Sequence, residues 1–117
     1  MFIGAHTVIY SERAEQLRVF LRDVLELGSL DVGHGWLIFA LPPGELAVHP
    51  TEGTTRHELY LMCDDIAATV RRLEAKGVEF TRPVTEQRWG RLTAIRLPDG
   101  SELGIYQPRH PTALETT

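Results

Sequence analysis

Two copies of one short pattern constrain this chain more than any other feature. Leu97-Pro98-Asp99-Gly100-Ser101-Glu102-Leu103-Gly104-Ile105-Tyr106-Gln107-Pro108 is nearly repeated by Leu41-Pro42-Pro43-Gly44-Glu45-Leu46-Ala47-Val48-His49-Pro50. Both read Leu-Pro-x-Gly, then Glu-Leu, a small residue, a β-branched aliphatic, an aromatic ring and a closing Pro. The copies stand roughly half the chain apart, and a period of that size points to two structural repeats with any site where they face each other.

The rest of the chain repeats with the same period. Residues 2–10 alternate as a strand, with His6, Val8 and Tyr10 on one side. Ser11 is placed to cap a helix whose stripe is Ala14, Leu17, Phe20, Leu21, Val24 and Leu25, and Gly28 is placed to end it. Residues 29–35 read as a short edge strand, residues 36–41 as an apolar strand, and residues 45–49 as a strand after the Pro42-Pro43-Gly44 turn. The polar residues 51–55 form the linker. The order then recurs. Residues 57–63 read as a strand. Asp64 or Asp65 caps a helix with the stripe Ile66, Val70 and Leu73, and Gly77 stops it. Residues 78–80 read as a short strand and residues 81–90 as a polar loop. Strands follow at 91–97 and 102–107, joined by Pro98-Asp99-Gly100. The expected layout is module one at 2–50, a linker at 51–55, module two at 56–108 and a polar tail at 109–117. The fold class is α+β: two tandem βαβββ modules form curved mixed sheets around a cup, with helices on the outer face.

Composition narrows the function classes. The chain has 117 residues, 43% of them hydrophobic, which suits one domain of two fused halves. A net charge of −4 argues against nucleic acid or an anionic membrane as partner. No apolar run is long enough to span a bilayer, and no signal peptide is read at the start. One cysteine, Cys63, allows no internal disulfide, so a reducing, cytoplasmic setting fits best.

The run Cys63-Asp64-Asp65-Ile66-x-x-x-Val70-x-x-Leu73-x-x-x-Gly77-Val78, the Leu-Pro-Asp-Gly turn and the strand ending Tyr-Gln-Pro resemble the glyoxalase, bleomycin-resistance and extradiol-dioxygenase superfamily, the vicinal oxygen chelate fold. The resemblance covers residues 2–108. It implies a cup formed by two halves, a small-molecule partner and a homodimer. In metal-binding members the ligands come from the first and last strand of each half. Carried over, those positions fall on His6, Glu58, Ala47 and Gly104, and the last two have no side chain that binds metal.

Strand alternation adds His49, which shares a face with Ala47, so the candidate metal set is His6, His49 and Glu58. Two His and a carboxylate suit a single divalent ion (Fe, Mn, Ni or Zn). The candidate ligand-binding cup is Tyr10, Trp36, Phe39, Tyr60, Met62, Trp89 and Tyr106. Two functions remain open: a metal-free small-molecule-binding protein, and a divalent-metal lyase, isomerase or dioxygenase acting on an oxygen-chelating substrate. Arg88, Arg91 and Arg96 would either meet an anionic substrate or form a solvated edge. His34 reads as a loop residue, and Cys63 as a small core residue.

Overall fold

The computed structural model describes residues 6–45, 47, 52–53, 57–111 and 113–114. In chain order these form α1 (Ala14–Asp23), β1 (Ser29–Asp31), β2 (Leu37–Phe39), β3 (Tyr60–Met62), α2 (Ile66–Ala75), β4 (Phe80–Gln87), β5 (Gly90–Arg96) and β6 (Glu102–Pro108). The last five make one βαβββ unit. Its four strands lie in the order β3-β6-β5-β4, with β3 parallel to β6 and the other neighbours antiparallel. β1 and β2 pair as a separate antiparallel hairpin. The α+β class with mixed sheets is as expected.

Both ends of α2 are set by the residues the sequence marks. The Asp65 carboxylate accepts from the Ala68 N–H at 3.1 Å, and the Gln107 side-chain oxygen accepts from the Ile66 N–H at 2.8 Å. At the other end Gly77 takes φ +82. The Gly77 and Val78 amides then donate to the Glu74 and Leu73 carbonyls, which satisfies two orphan acceptors.

The helix α1 departs from expectation at both ends. Arg13 occupies the N-cap and no side chain caps the helix there. Ser11 instead accepts from the Arg13 N–H and donates to Asp99 at 2.6 Å. The helix also stops before Gly28, because Glu26 takes the left-handed conformation at φ 59. Arg72 of α2 and Lys76 at its C-cap hold the Glu26 carboxylate at 2.6 and 3.5 Å, and Lys76 also donates to the Val24 carbonyl. Cations at the last carbonyls of a helix oppose its dipole.

Both helices pack on one face of the four-stranded sheet. Leu17 of α1 and Ile66 and Leu73 of α2 join Val78, Ile95, Leu97, Leu103 and Ile105 in the core. Leu103 and Ile105 alternate along β6 with Gly104 and Tyr106, so the latter pair faces away from the helices.

Three segments were misread from sequence. Residues 81–87 are part of β4, not a loop. The strand is at the sheet edge with both sides largely exposed, so it carries no hydrophobic alternation, and an edge tolerates Pro83. Irregular register at Phe80/Arg82 and Arg82/Thr85 bends it. Residues 6–10 form no strand, and the expected strand at 57–63 is paired only over Tyr60–Met62. Most of the expected strand at 45–49 lies outside the described residues.

The repeated turn is fully built in its second copy. Gly100 takes φ +90, its N–H donates to the Leu97 carbonyl at 2.8 Å, and the Leu97 N–H donates to Ser101. Asp99 accepts from the Ser101 amide and hydroxyl and from Ser11. These bonds hold its carboxyl at about 2, the two Ser101 and Ser11 hydroxyls contributing most.

Candidate functional site

Pairing across the sheet places side chains of the open face, opposite the helices, in two rows. Arg82, Ala94, Gly104 and Tyr60 form one row across β4, β5, β6 and β3. Thr85, Leu92, Tyr106 and Met62 form the next. Glycine is needed at two places under these rows. The Tyr60 ring lies over Gly104 so closely that a Cβ there would collide with it. The Tyr106 ring lies over Gly90 in the same way, and a Cβ at Gly90 would also come within 2.6 Å of the Gln107 carbonyl oxygen.

Tyr106 is the centre of the ring surface this produces. Its centroid is 6.1 Å from Tyr60 and 5.8 Å from Trp89, both edge-to-face, and 5.8 Å from His110. Tyr60 and Trp89 remain 38% and 42% exposed, so a solute can reach the rings. The polar groups around them are fixed by one another. The Tyr60 hydroxyl donates to Glu58 at 3.0 Å, the Tyr106 hydroxyl donates to the Trp89 carbonyl at 3.0 Å, and Arg82 pairs with Glu102 at 2.6 Å. Partial burial raises the Tyr106 phenol above its ordinary value, and the Glu45 carboxylate adds to this. At neutral pH Tyr106 is therefore a hydrogen-bond donor and not a base. Arg82 holds the Glu102 carboxyl below its usual range through their hydrogen bond.

The structure brings Tyr60, Met62, Trp89 and Tyr106 together and leaves the other expected cup residues apart. Tyr10 is 92% exposed. Trp36 lies under the Arg18 guanidinium of α1, 5.3 Å from its ring centre, and Phe39 is on the hairpin. His34 sits in the hairpin turn with φ 57, between two glycines of positive φ. Arg91 and Arg96 are engaged by Glu86 and Glu79. Cys63 packs with the core, and burial pushes its thiol up, so it is no nucleophile. The sequence reading overlooked Glu45 and His110. Alternation already placed Glu45 on the His49 face, but nothing marked His110.

Of the candidate metal ligands, His6 is exposed, His49 lies outside the described residues, and Glu58 accepts from Tyr60. Among the described residues no group of three His, Cys, Asp or Glu is placed to hold a metal ion. At position 104, moreover, the Tyr60 ring fills the space a ligand side chain would need. The described side chains of the open face do not fit a metal centre.

A hollow of about 250 Å³ lies away from the rings, on the helix side among Leu25, Leu27, Pro42, Leu61, Cys63 and Leu73. No helix is long and apolar enough to cross a membrane among the described residues.

The family model of the glyoxalase/bleomycin resistance protein/dioxygenase superfamily matches residues 5–105. The chain belongs to this superfamily. Its members bind small molecules and often a divalent metal ion. Similar solved structures include TnmS3, an antibiotic binding protein from Streptomyces sp. CB03234. It is 26% identical over 92% of this chain and 98% of that one, with a TM-score of 0.66. A glyoxalase/bleomycin resistance protein from the same organism is 28% identical over 83% and 93%, at 0.56. A lactoylglutathione lyase from Agrobacterium tumefaciens, 18% identical over 90% and 92% at 0.63, shares the fold. No curated protein matches the sequence. The β3-α2-β4-β5-β6 unit has the order βαβββ, and its open face carries the ring cluster.

Proposed function

We propose that this superfamily member is a small-molecule-binding protein. Its ligand lies on the open face of the four-stranded sheet, against Tyr60, Trp89 and Tyr106, without a metal ion. The observation that carries the reading is the ring cluster itself. Two glycines let the Tyr60 and Tyr106 rings come close over the backbone, and the exposed parts of the cluster offer apolar and stacking surface beside fixed polar groups. The likeness to TnmS3, an antibiotic-binding protein, supports it. The engagement of Glu58 by Tyr60 and the absence of a donor at Gly104 favour it over the competing reading, a divalent ion (Fe, Mn, Ni or Zn) held by His6, His49 and Glu58.

Thermal melting separates the two. Protein purified without a His tag is expected to melt within about 1 °C of its starting value when Mn, Fe, Ni or Zn is added, since an ion that does not bind cannot stabilise. A rise of about 4 °C or more that His6→Ala or Glu58→Ala removes would replace this reading with the metal-dependent one.

A homodimer belongs to the same proposal, in a reducing cytoplasm that suits the lone, half-buried Cys63. Support comes from the hairpin. Leu30 and Ile38 are cross-strand partners yet 67% and 45% exposed, and a two-stranded sheet is marginal by itself. Sedimentation velocity is expected to show a dimer that Leu30→Lys weakens; a monomer at every concentration would remove the dimer.

A further inference from the structure

One polar junction on the open face lies beyond the ring cluster just described. Glu45, at the end of the first half, meets the tail over Tyr106. Its two carboxylate oxygens have separate partners. One accepts from the Ala113 N–H at 2.8 Å and the other lies 3.7 Å from His110 Nε2. Glu45 is 18% exposed, so this carboxylate is largely withdrawn from water with no Lys or Arg among its described partners. The tail is held from the other side as well, since the Arg109 N–H donates to the Trp89 carbonyl at 3.0 Å.

The two nitrogens of His110 fix what this contact requires. Nδ1 is 2.8 Å from the Pro111 carbonyl oxygen, which can only accept, so Nδ1 carries a proton. A neutral ring with its proton on Nδ1 would turn the Nε2 lone pair towards the Glu45 carboxylate. Only the imidazolium makes that contact attractive. The cation then lies with its ring tilted 38° against Tyr106, a favourable place for positive charge. The other charged groups nearby are already paired. Arg109 and Arg91 both hold Glu86, at 3.0 and 3.3 Å, and the Tyr106 phenol stays neutral while donating to Trp89.

We infer that the described tail residues Arg109, His110, Pro111 and Ala113 form a displaceable strap over Tyr106, latched to the first half of the chain by protonated His110 on Glu45, and that releasing the latch uncovers the Tyr106–Trp89 end of the ligand face. The latch needs an ionised carboxylate and a protonated imidazole. It loosens when the imidazole gives up its proton, as rising pH makes it do. The amide bonds from Ala113 and Arg109 remain when it does, so the strap slackens and is not lost. That the uncovered surface receives the ligand rests on the function proposed above.

Acrylamide quenching of Trp89 fluorescence reads the strap without any ligand. Trp36→Phe leaves Trp89 as the only tryptophan. In that background the quenching constant is expected to rise about twofold between pH 5.5 and pH 8, the scale of a partly exposed ion pair. His110→Gln and Glu45→Gln should show the higher value at both pH values, with unchanged circular dichroism. A pH-independent constant in the parent, or a pH dependence that survives His110→Gln, overturns the strap. A planar aromatic fragment that binds the parent should bind His110→Gln more tightly at pH 5.5. If quenching behaves as expected but fragment affinity does not change, the strap stands and the ligand face is elsewhere.

Discussion

Replacing Tyr106 by alanine is expected to weaken binding of an aromatic fragment by about tenfold or more, the loss typical of a central ring anchor. Among the described residues Tyr106 is the one ring in contact with Tyr60, Trp89 and His110 at once. Its removal also bares Gly90 and takes the hydroxyl bond from the Trp89 carbonyl, which keeps the Arg109 N–H. Two effects therefore add: stacking surface is lost, and the neighbouring rings lose the edge that fixes their angle. Tyr106→Phe keeps the ring and drops only the hydroxyl bond, so its cost should stay near 1 kcal/mol. Isothermal titration of the three proteins with one fragment that binds the parent checks this. Equal affinities for Tyr106→Ala and the parent would take Tyr106 out of the site.

Ile95→Ala is expected to cost about 3–4 kcal/mol of folding stability, and Ile95→Val about 1 kcal/mol. Ile95 has 0% exposure and stands in β5, an inner strand, opposite Phe80 and Leu103. It joins the core that Leu17, Ile66 and Leu73 build from the two helices. The sheet cannot close over a missing side chain there without moving both helices, so a cavity remains. Urea unfolding followed by circular dichroism gives the two values. A loss under 1 kcal/mol for Ile95→Ala would mean that the helices do not pack on this face as described.

The second half of the fold was legible because its signals are local. Asp65 and Gly77 terminate α2 through bonds to residues a few positions away, and Gly100 with Asp99 builds its turn within five residues. The first copy of that turn has Pro43 where the second has Asp99, so it lacks the carboxylate that ties the turn to Ser11. The edge strand β4 escaped notice because an exposed strand needs no apolar alternation, and its polar residues and Pro83 look like a loop. The end of α1 escaped because Glu26, not a glycine, adopts the left-handed turn, stabilised by Arg72 and Lys76 from the other helix.

The site was legible only in part, for the same reason. Alternation grouped Tyr60 with Met62 and placed Tyr106 with Gly104, and the pairing of β3 with β6 joins those groups on one face. That Gly104 has its own use could not be read from spacing. The small residue that the family resemblance sets at a ligand position is the seat of the Tyr60 ring. The meeting of Glu45 with His110 and Ala113 spans two loops far apart in sequence, and no local pattern encodes it.

In the proposed function, ligands lie on the open face over Tyr106. Two-dimensional NMR of labelled protein, titrated with a library of planar aromatic fragments, tests it most directly. Binding fragments are expected to shift the Trp89 indole N–H and the Gly90 and Gly104 amides, while Leu25, Leu61, Cys63 and Leu73 on the helix side stay in place. Shifts confined to those helix-side residues, with Trp89, Gly90 and Gly104 unmoved, would contradict it.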